Sequence, residues 1–142
     1  MNILIKSATI IEPKNSYNGK KRDILIKNGV ISKIAPSIKK EKDVEEISLK
    51  NLHISTGWFD TSVSFGEPGY EERENIINGL KTAAKSGFTS VAVNPNTNPK
   101  IDNKSAVEFL KNKAINSATS LHPIGNLTKK AEGVDIAELF DM

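Results

Sequence analysis

Past Ser55 the apolar residues of this chain change rhythm, and that change limits what it can fold into. Strand-like runs begin to alternate with helix-like ones. Trp58 to Phe65 reads as a strand. Glu72 to Ser86 reads as a helix, with Ile76, Ile77, Leu80, Ala83 and Ala84 on one face and Gly87 placed to cap its C-terminus. Gly79 inside that helix costs about 1 kcal/mol relative to Ala, so it marks a place of close packing. Phe88 to Val93 is the next strand, ending in the turn cluster Asn94-Pro-Asn-Thr-Asn-Pro99. Asp102 or Asn103 caps a second helix whose Ala106, Val107, Leu110 and Ala114 face inward. Thr119 to Ile124 reads as a third strand and Asp135 onward as another helix. This order implies an α/β fold built on a parallel sheet or barrel. A closed (β/α)8 barrel takes about 250 residues. The 142-residue chain leaves 87 after Ser55, so the barrel does not close within it. The last helix runs into Phe140-Asp-Met142 without a cap, and the chain reads as the front portion of a longer protein.

The residues before Ser55 read as all-β. Asn2 to Ile11 is a strand-like run. Asp23 to Ile34 is a hairpin with Asn28-Gly29 at its tip, the strongest short hairpin signal there is. A charged loop, Lys39 to Asp43, precedes two short strands at Val44 to Leu49 and Leu52 to Ile54. The chain therefore divides into residues 1–55, a small β segment, and residues 56–142, the first three βα units of an incomplete barrel.

Composition removes several classes of function. There is no cysteine, hence no disulfide framework, thiolate nucleophile or thiolate metal site. No apolar run approaches membrane length, and the apolar start MNILIKSATII is broken by Lys6 with no cleavage site after it. A cytoplasmic protein without a membrane partner is expected. The net charge of +3 is concentrated locally: nine Lys or Arg lie between Lys14 and Lys42 against Asp23 and Glu41. Only one of the nine is Arg and no aromatic series is interleaved for base stacking. This reads as a solvated face that blunts sheet edges, and no nucleic-acid partner is expected.

The chemistry is concentrated in Asp60-Thr-Ser-Val-Ser-Phe-Gly-Glu-Pro-Gly69. Strand alternation places Asp60, Ser62 and Ser64 on one face, with Thr61, Val63 and Phe65 on the other. A nucleophilic role for either serine lacks a Gly-x-Ser-x-Gly turn and an evident base. Asp60 reads as a structural acceptor and Glu67-Pro-Gly69 as a loop-starting turn. The chain has two histidines. His53 precedes the barrel units, and His122 lies toward the C-terminal end of the third strand, the end where barrel active sites form.

Taken in order, Gly57-Trp-Phe-Asp60, Glu67-Pro-Gly69, Gly87-Phe-Thr89, Pro95-Asn-Thr-Asn-Pro99 and Pro123-Ile-Gly-Asn-Leu-Thr-Lys129 with Gly133 resemble dihydroorotases of the amidohydrolase superfamily. The resemblance covers essentially the whole chain. It implies a small β-sandwich built partly from the N-terminal segment, followed by a TIM-type barrel. It also implies reversible hydrolysis of the cyclic amide of dihydroorotate in pyrimidine biosynthesis, usually with one or two zinc ions. In the family the first barrel strand reads Asp-x-His-x-His-x-Arg-Glu-Pro-Gly. The histidines bind metal and the arginine grips the substrate carboxylate.

Here both histidine positions are serine, Ser62 and Ser64, and the arginine position is Gly66. A protonated hydroxyl is a poor ligand for zinc, which wants about three good donors and an open position. Glycine removes a bidentate carboxylate clamp. The expectation is therefore a dihydroorotase-like protein without catalytic residues, bound metal or cofactor. Asn96 matches the family's substrate-contacting asparagine and is retained as a vestigial substrate-binding residue. Glu138 falls where many bacterial relatives carry a metal-binding aspartate, but as an orphan it makes no site. Non-catalytic members of the family act as partners of aspartate transcarbamoylase, so that partner or self-association is what the resemblance implies. The competing expectation is an active enzyme whose metal ligands come from later in a full-length chain.

Overall fold

Asn28 and Gly29 adopt φ of 52° and 78° and turn β2 (Lys21–Lys27) back on β3 (Val30–Ala35), as the hairpin motif predicts. In this computed structural model, which describes residues 2–142, the chain divides into two compact units, Met1–Thr56 and Gly57–Met142.

In the first unit, β1 (Ile3–Ile11) pairs antiparallel with β2 and parallel with the short β4 (Glu45–Ile47) and β5 (His53–Ser55), giving the order β3-β2-β1-β4 with β5 also on β1. Leu4, Leu25, Ile38 and Val44 form its small core. A bulge between Ile5 and Ala8 interrupts β1, and Ser7 there has φ of 51°. The irregularity is held by Asp23, 1% exposed, which accepts from the Ser7 and Ile38 N–H groups, both at 2.8 Å, and from the Lys6 ammonium. Burial alone would raise the Asp23 pKa. Its bonds to Lys6, Ser7 and Ile38 prevail and hold it below its ordinary value.

In the second unit, β6 (Trp58–Val63), β7 (Phe88–Val93) and β8 (Ser120–Pro123) form a parallel sheet in that order. Successive parallel strands are joined by crossover helices. Here they are α1 (Ile76–Lys85) and α2 (Lys104–Lys113). Val91, Val93 and Leu121 bury against Ile76, Leu80, Val107 and Leu110. The glycine motifs mark close approaches. A Cβ on Gly79 would lie 2.4 Å from the Phe65 ring, and one on Gly57 would lie 2.0 Å from Thr89 Cγ2. Among the described residues no helix is long and apolar enough to cross a membrane.

Three expectations are corrected. The first helix starts at Ile76 rather than Glu72, because the preceding residues fold onto Gly66. Gly66 N–H donates to Glu74 O at 2.8 Å and Tyr70 N–H to Gly66 O at 2.9 Å, leaving Asn75 as the cap. Ile77 is 59% exposed, since the buried stripe of α1 is Ile76, Gly79 and Leu80. No helix begins at Asp135. Ala137 N–H bonds Leu127 O, and Glu138 N–H bonds Asp102 O, so these donors are committed to other segments instead of to an i−4 ladder. The second helix is capped by Asn103, whose side chain accepts from Ala106 N–H at 3.0 Å.

Candidate functional site

Ser62 and Ser64 sit where β6 gives way to its loop, beside the end of β7. Parallel neighbours end side by side, and Asn94 N–H donates to Val63 O at 2.8 Å. That bond brings the Asn94 side chain across. Its Nδ2 donates to Ser62 Oγ at 3.1 Å and to Ser64 Oγ at 3.4 Å. Asn96, two residues on, donates from Nδ2 to the same Ser64 Oγ at 3.0 Å. The serines are exposed, Asn94 is half-buried and Asn96 exposed.

Asp60 joins this group through the backbone. Its Oδ1 accepts from Ser62 N–H at 3.0 Å. The simple alternation that places Asp60 on the face of Ser62 is overturned by a bulge. Asp60 stands opposite Val91 and Val63 opposite Val93, three residues of β6 spanning two of β7. A strand that absorbs an extra residue exchanges its faces, so Asp60 is in register with core-facing Val91.

Gly66 is closed off by its own loop. A Cβ there would lie 1.7 Å from Tyr70 O and 2.6 Å from Tyr70 C. Beyond it, Glu67 is 6% exposed. Its carboxylate accepts from Ile76 N–H at 3.0 Å at the start of α1 and meets Lys113 Nζ at 2.8 Å at the end of α2. Gly69, with φ of 95°, lets the loop pass Asn98, whose N–H donates to Pro68 O at 3.0 Å. Its own N–H bonds Glu71 Oε1 at 2.9 Å, a contact that lowers the Glu71 pKa. The loops after β6 and β7 are thus tied together, and Glu67-Pro-Gly69 has a shape role.

His122 is in register with Ala92, and its ring tilts toward Phe59 with centroids 5.5 Å apart. His53, on β5 in the other unit, has its Nδ1 2.7 Å from the carbonyl oxygen of Asn51, just before that strand. Glu138 is exposed, with no side-chain bond to the serines. Among the described residues no three His, Cys, Asp or Glu side chains converge in a way that would hold a metal ion. The donors at the serine cluster are hydroxyls and carboxamides, neutral at pH 7, and do not fit zinc. Sequence reading treated Asn94 only as part of a turn. Its position immediately after a parallel strand, level with the end of β6, is the signal that points to its role.

A dihydro-orotase-like family model matches residues 53–139. A dihydroorotase from Geobacter metallireducens is 33% identical over 143 aligned positions, covering all of this chain and 34% of that protein. A dihydroorotase from Ruminiclostridium cellulolyticum is 36% identical, again over all of this chain and 33% of its own length. The chain therefore spans about a third of these relatives. In fold it is similar to an L-hydantoinase (dihydropyrimidinase) from Arthrobacter aurescens, with a TM-score of 0.75 at 19% identity over 89% of this chain and 28% of that one. A D-hydantoinase superposes with a TM-score of 0.68 at 26% identity, covering 92% of this chain and 29% of its own. The ordered motifs, the strand–helix sequence that carries them and these matches agree: the chain belongs to the dihydroorotase-like family of amidohydrolases.

Proposed function

We propose that this chain is a non-catalytic dihydroorotase-like protein that serves as a structural partner in pyrimidine biosynthesis. In this reading residues 57–142 are the opening strands of a TIM-type barrel and the first unit is one layer of a β-sandwich. The protein acts in the cytoplasm, bound to aspartate transcarbamoylase or to further copies of itself. The observation that carries the reading is the state of Ser62 and Ser64. At the two positions where relatives place metal-binding histidines, both hydroxyl oxygens accept from Asn94, and Ser64 also accepts from Asn96. A cluster already joined through neutral bonds offers no platform to lower the pKa of a bound water or polarise an amide. Asn96, retained at the family's substrate-contacting position, is occupied in the same way.

The test is to assay zinc per chain and dihydroorotate hydrolysis for the full-length protein in which this chain occurs, beside Ser62→His/Ser64→His. The reading expects less than stoichiometric zinc and no turnover from the unmodified chain. Stoichiometric zinc with turnover would overturn it in favour of an active enzyme. Its ligands would then come from the part of the relatives' length that this chain does not span.

A further inference from the structure

Three Asn-Gly pairs occur in the chain, Asn18-Gly19, Asn28-Gly29 and Asn78-Gly79. An asparagine before glycine can cyclise, because no side chain on the glycine obstructs the approach of its nitrogen to the asparagine Cγ. The reaction needs that nitrogen free and the carboxamide able to swing over it. Two of the pairs are denied both conditions. Gly79 N–H donates to Asn75 O at 3.0 Å inside α1, and the Asn78 carboxamide donates to both Glu74 carboxylate oxygens at 3.0 Å. Gly19 N–H donates to Ile10 O at 2.8 Å, and Asn18 Oδ1 accepts from Glu12 N–H at 2.9 Å.

The pair at the tip of the β2–β3 hairpin differs. Asn28 N–H donates to Asn2 Oδ1 at 3.2 Å, but among the described residues the Asn28 carboxamide and the Gly29 N–H make no bond. Both residues are exposed, and nothing lies within 4 Å of where a Gly29 Cβ would stand. Their left-handed backbone must relax before the nitrogen reaches Cγ. That motion is confined to the tip, because β3 is held to β2 from the Lys27–Val30 pair onward. Opening a hairpin tip costs less than opening a helix or a loop tied through its backbone.

We propose that Asn28 is a site of spontaneous backbone modification, converting to isoaspartate through a succinimide, and that the fold withholds this reaction from Asn18 and Asn78. The deprotonated Gly29 nitrogen attacks Asn28 Cγ. The N–Cγ bond forms and the Cγ–Nδ2 bond breaks, and ammonia leaves with a proton from solvent that replaces the one the glycine nitrogen gave up. Water then adds at one of the two ring carbonyls. Addition at the Asn28 α-carbonyl sends the backbone through Cβ and Cγ, giving isoaspartate with a free α-carboxylate; addition at Cγ gives aspartate. Water is the co-reactant and ammonia the by-product, and nothing is oxidised or reduced. A two-residue turn that fits left-handed φ does not hold a backbone lengthened by a methylene. The Lys27–Val30 pair is then lost, and β3, with Val30 and Ile31 already 67% and 58% exposed, loosens from β2.

The full-length protein in which this chain occurs is incubated in mildly alkaline buffer, with and without urea. Peptides carrying the three pairs are followed by mass spectrometry, with fragmentation that separates isoaspartate from aspartate. In the folded protein Asn28 should convert at least about tenfold faster than Asn18 or Asn78, the ratio that a small difference in opening free energy produces. In urea the three rates should converge, because each asparagine is followed by glycine. Conversion of Asn18 or Asn78 as fast as Asn28 in the folded protein would overturn the proposal. So would an Asn28 that stays intact when folded and converts only in urea. A preference for Asn28 that persists undiminished in urea would also overturn it, since the selection would then come from neighbouring residues and not from the fold.

Discussion

At Gly66 the backbone, more than the missing side chain, decides what the position can do. The family resemblance implies an arginine at this position. The structure adds that the Tyr70 carbonyl occupies the space through which any side chain would leave. Gly66→Ala should therefore destabilise the second unit by about 2 kcal/mol, an overpacking cost with no cavity to absorb it. Urea denaturation measures this, and faster amide exchange at Tyr70, which donates to Gly66 O, would localise it. For the same reason, adding Gly66→Arg to Ser62→His/Ser64→His should not create tight carboxylate binding, because the loop must first reopen. Asp23 is a second residue whose weight is invisible in sequence, where it is one acid among many lysines. Its folded pKa is depressed, so its contribution is fully present above the unfolded value near about 3.9 and is lost as pH falls through the lower folded value. Asp23→Asn should cost about 2 kcal/mol at pH 7, by leaving Lys6 and two backbone N–H groups poorly matched. It should also remove this carboxylate's share of the acid sensitivity below about pH 4. Denaturation curves at pH 7 and across pH 2–4 check both; an unchanged acid profile in the variant would refute the assignment.

Among the elements, α1 shows what periodicity conveys and what it misses. The spacing of Ile76, Leu80 and Ala83 identified a helix and most of its inward face, and Gly79 was read as a close-packing position from its cost alone. The partner, the Phe65 ring 2.4 Å from a virtual Cβ, lies 14 residues earlier and has no periodic signature. Gly79→Ala is thus a contest between helix propensity, worth about 1 kcal/mol in favour of Ala, and overpacking of about 1–3 kcal/mol against it. The contact is far inside van der Waals distance, so overpacking wins. The midpoint of thermal unfolding should fall, and it should recover in Gly79→Ala/Phe65→Leu, where the ring is gone. If Gly79→Ala alone were stabilising, the packing account of this glycine would be wrong. The candidate site divides in the same way. Ser62, Ser64 and Asn96 were legible because each sits in a motif with a known pattern. Asn94 was not, because its role depends on register between two strands 31 residues apart in sequence. The bulge after Asp60 was hidden for the same reason, since a strand's own alternation carries no trace of an extra residue absorbed against its neighbour. The absent last helix failed differently. Its apolar spacing was present, but its N–H groups found partners in Leu127 and Asp102.

At the scale of the molecule, the parallel sheet of the second unit raises a question of edges. Among the described residues β6 and β8 each pair only with β7, so each presents an outer row of backbone donors and acceptors. Leu127, Ile136 and Phe140 are 70%, 67% and 105% exposed, and Trp58 and Phe59 are more than half exposed. Unpaired parallel edges together with exposed apolar side chains favour association. This chain spans about a third of the relatives' length, and the prediction concerns residues 1–142 taken by themselves. Sedimentation velocity on this chain should show mass rising with concentration between about 1 and 100 μM. The apolar contribution is separable from the edges. Leu127 adjoins the isolated bridge between Thr128 and Ile136, and Ile136 is part of it, outside the three-stranded sheet. Leu127→Lys/Ile136→Lys should therefore weaken association without altering β6–β7–β8 pairing, observed as a shift toward monomer with unchanged strand content by circular dichroism. If association is instead driven through the sheet edges, this variant will associate as before, and added salt will have little effect because backbone pairing carries no net charge. A chain that stays monomeric at 100 μM would show that neither surface is sticky, and would count against self-association as the partnership proposed for this protein.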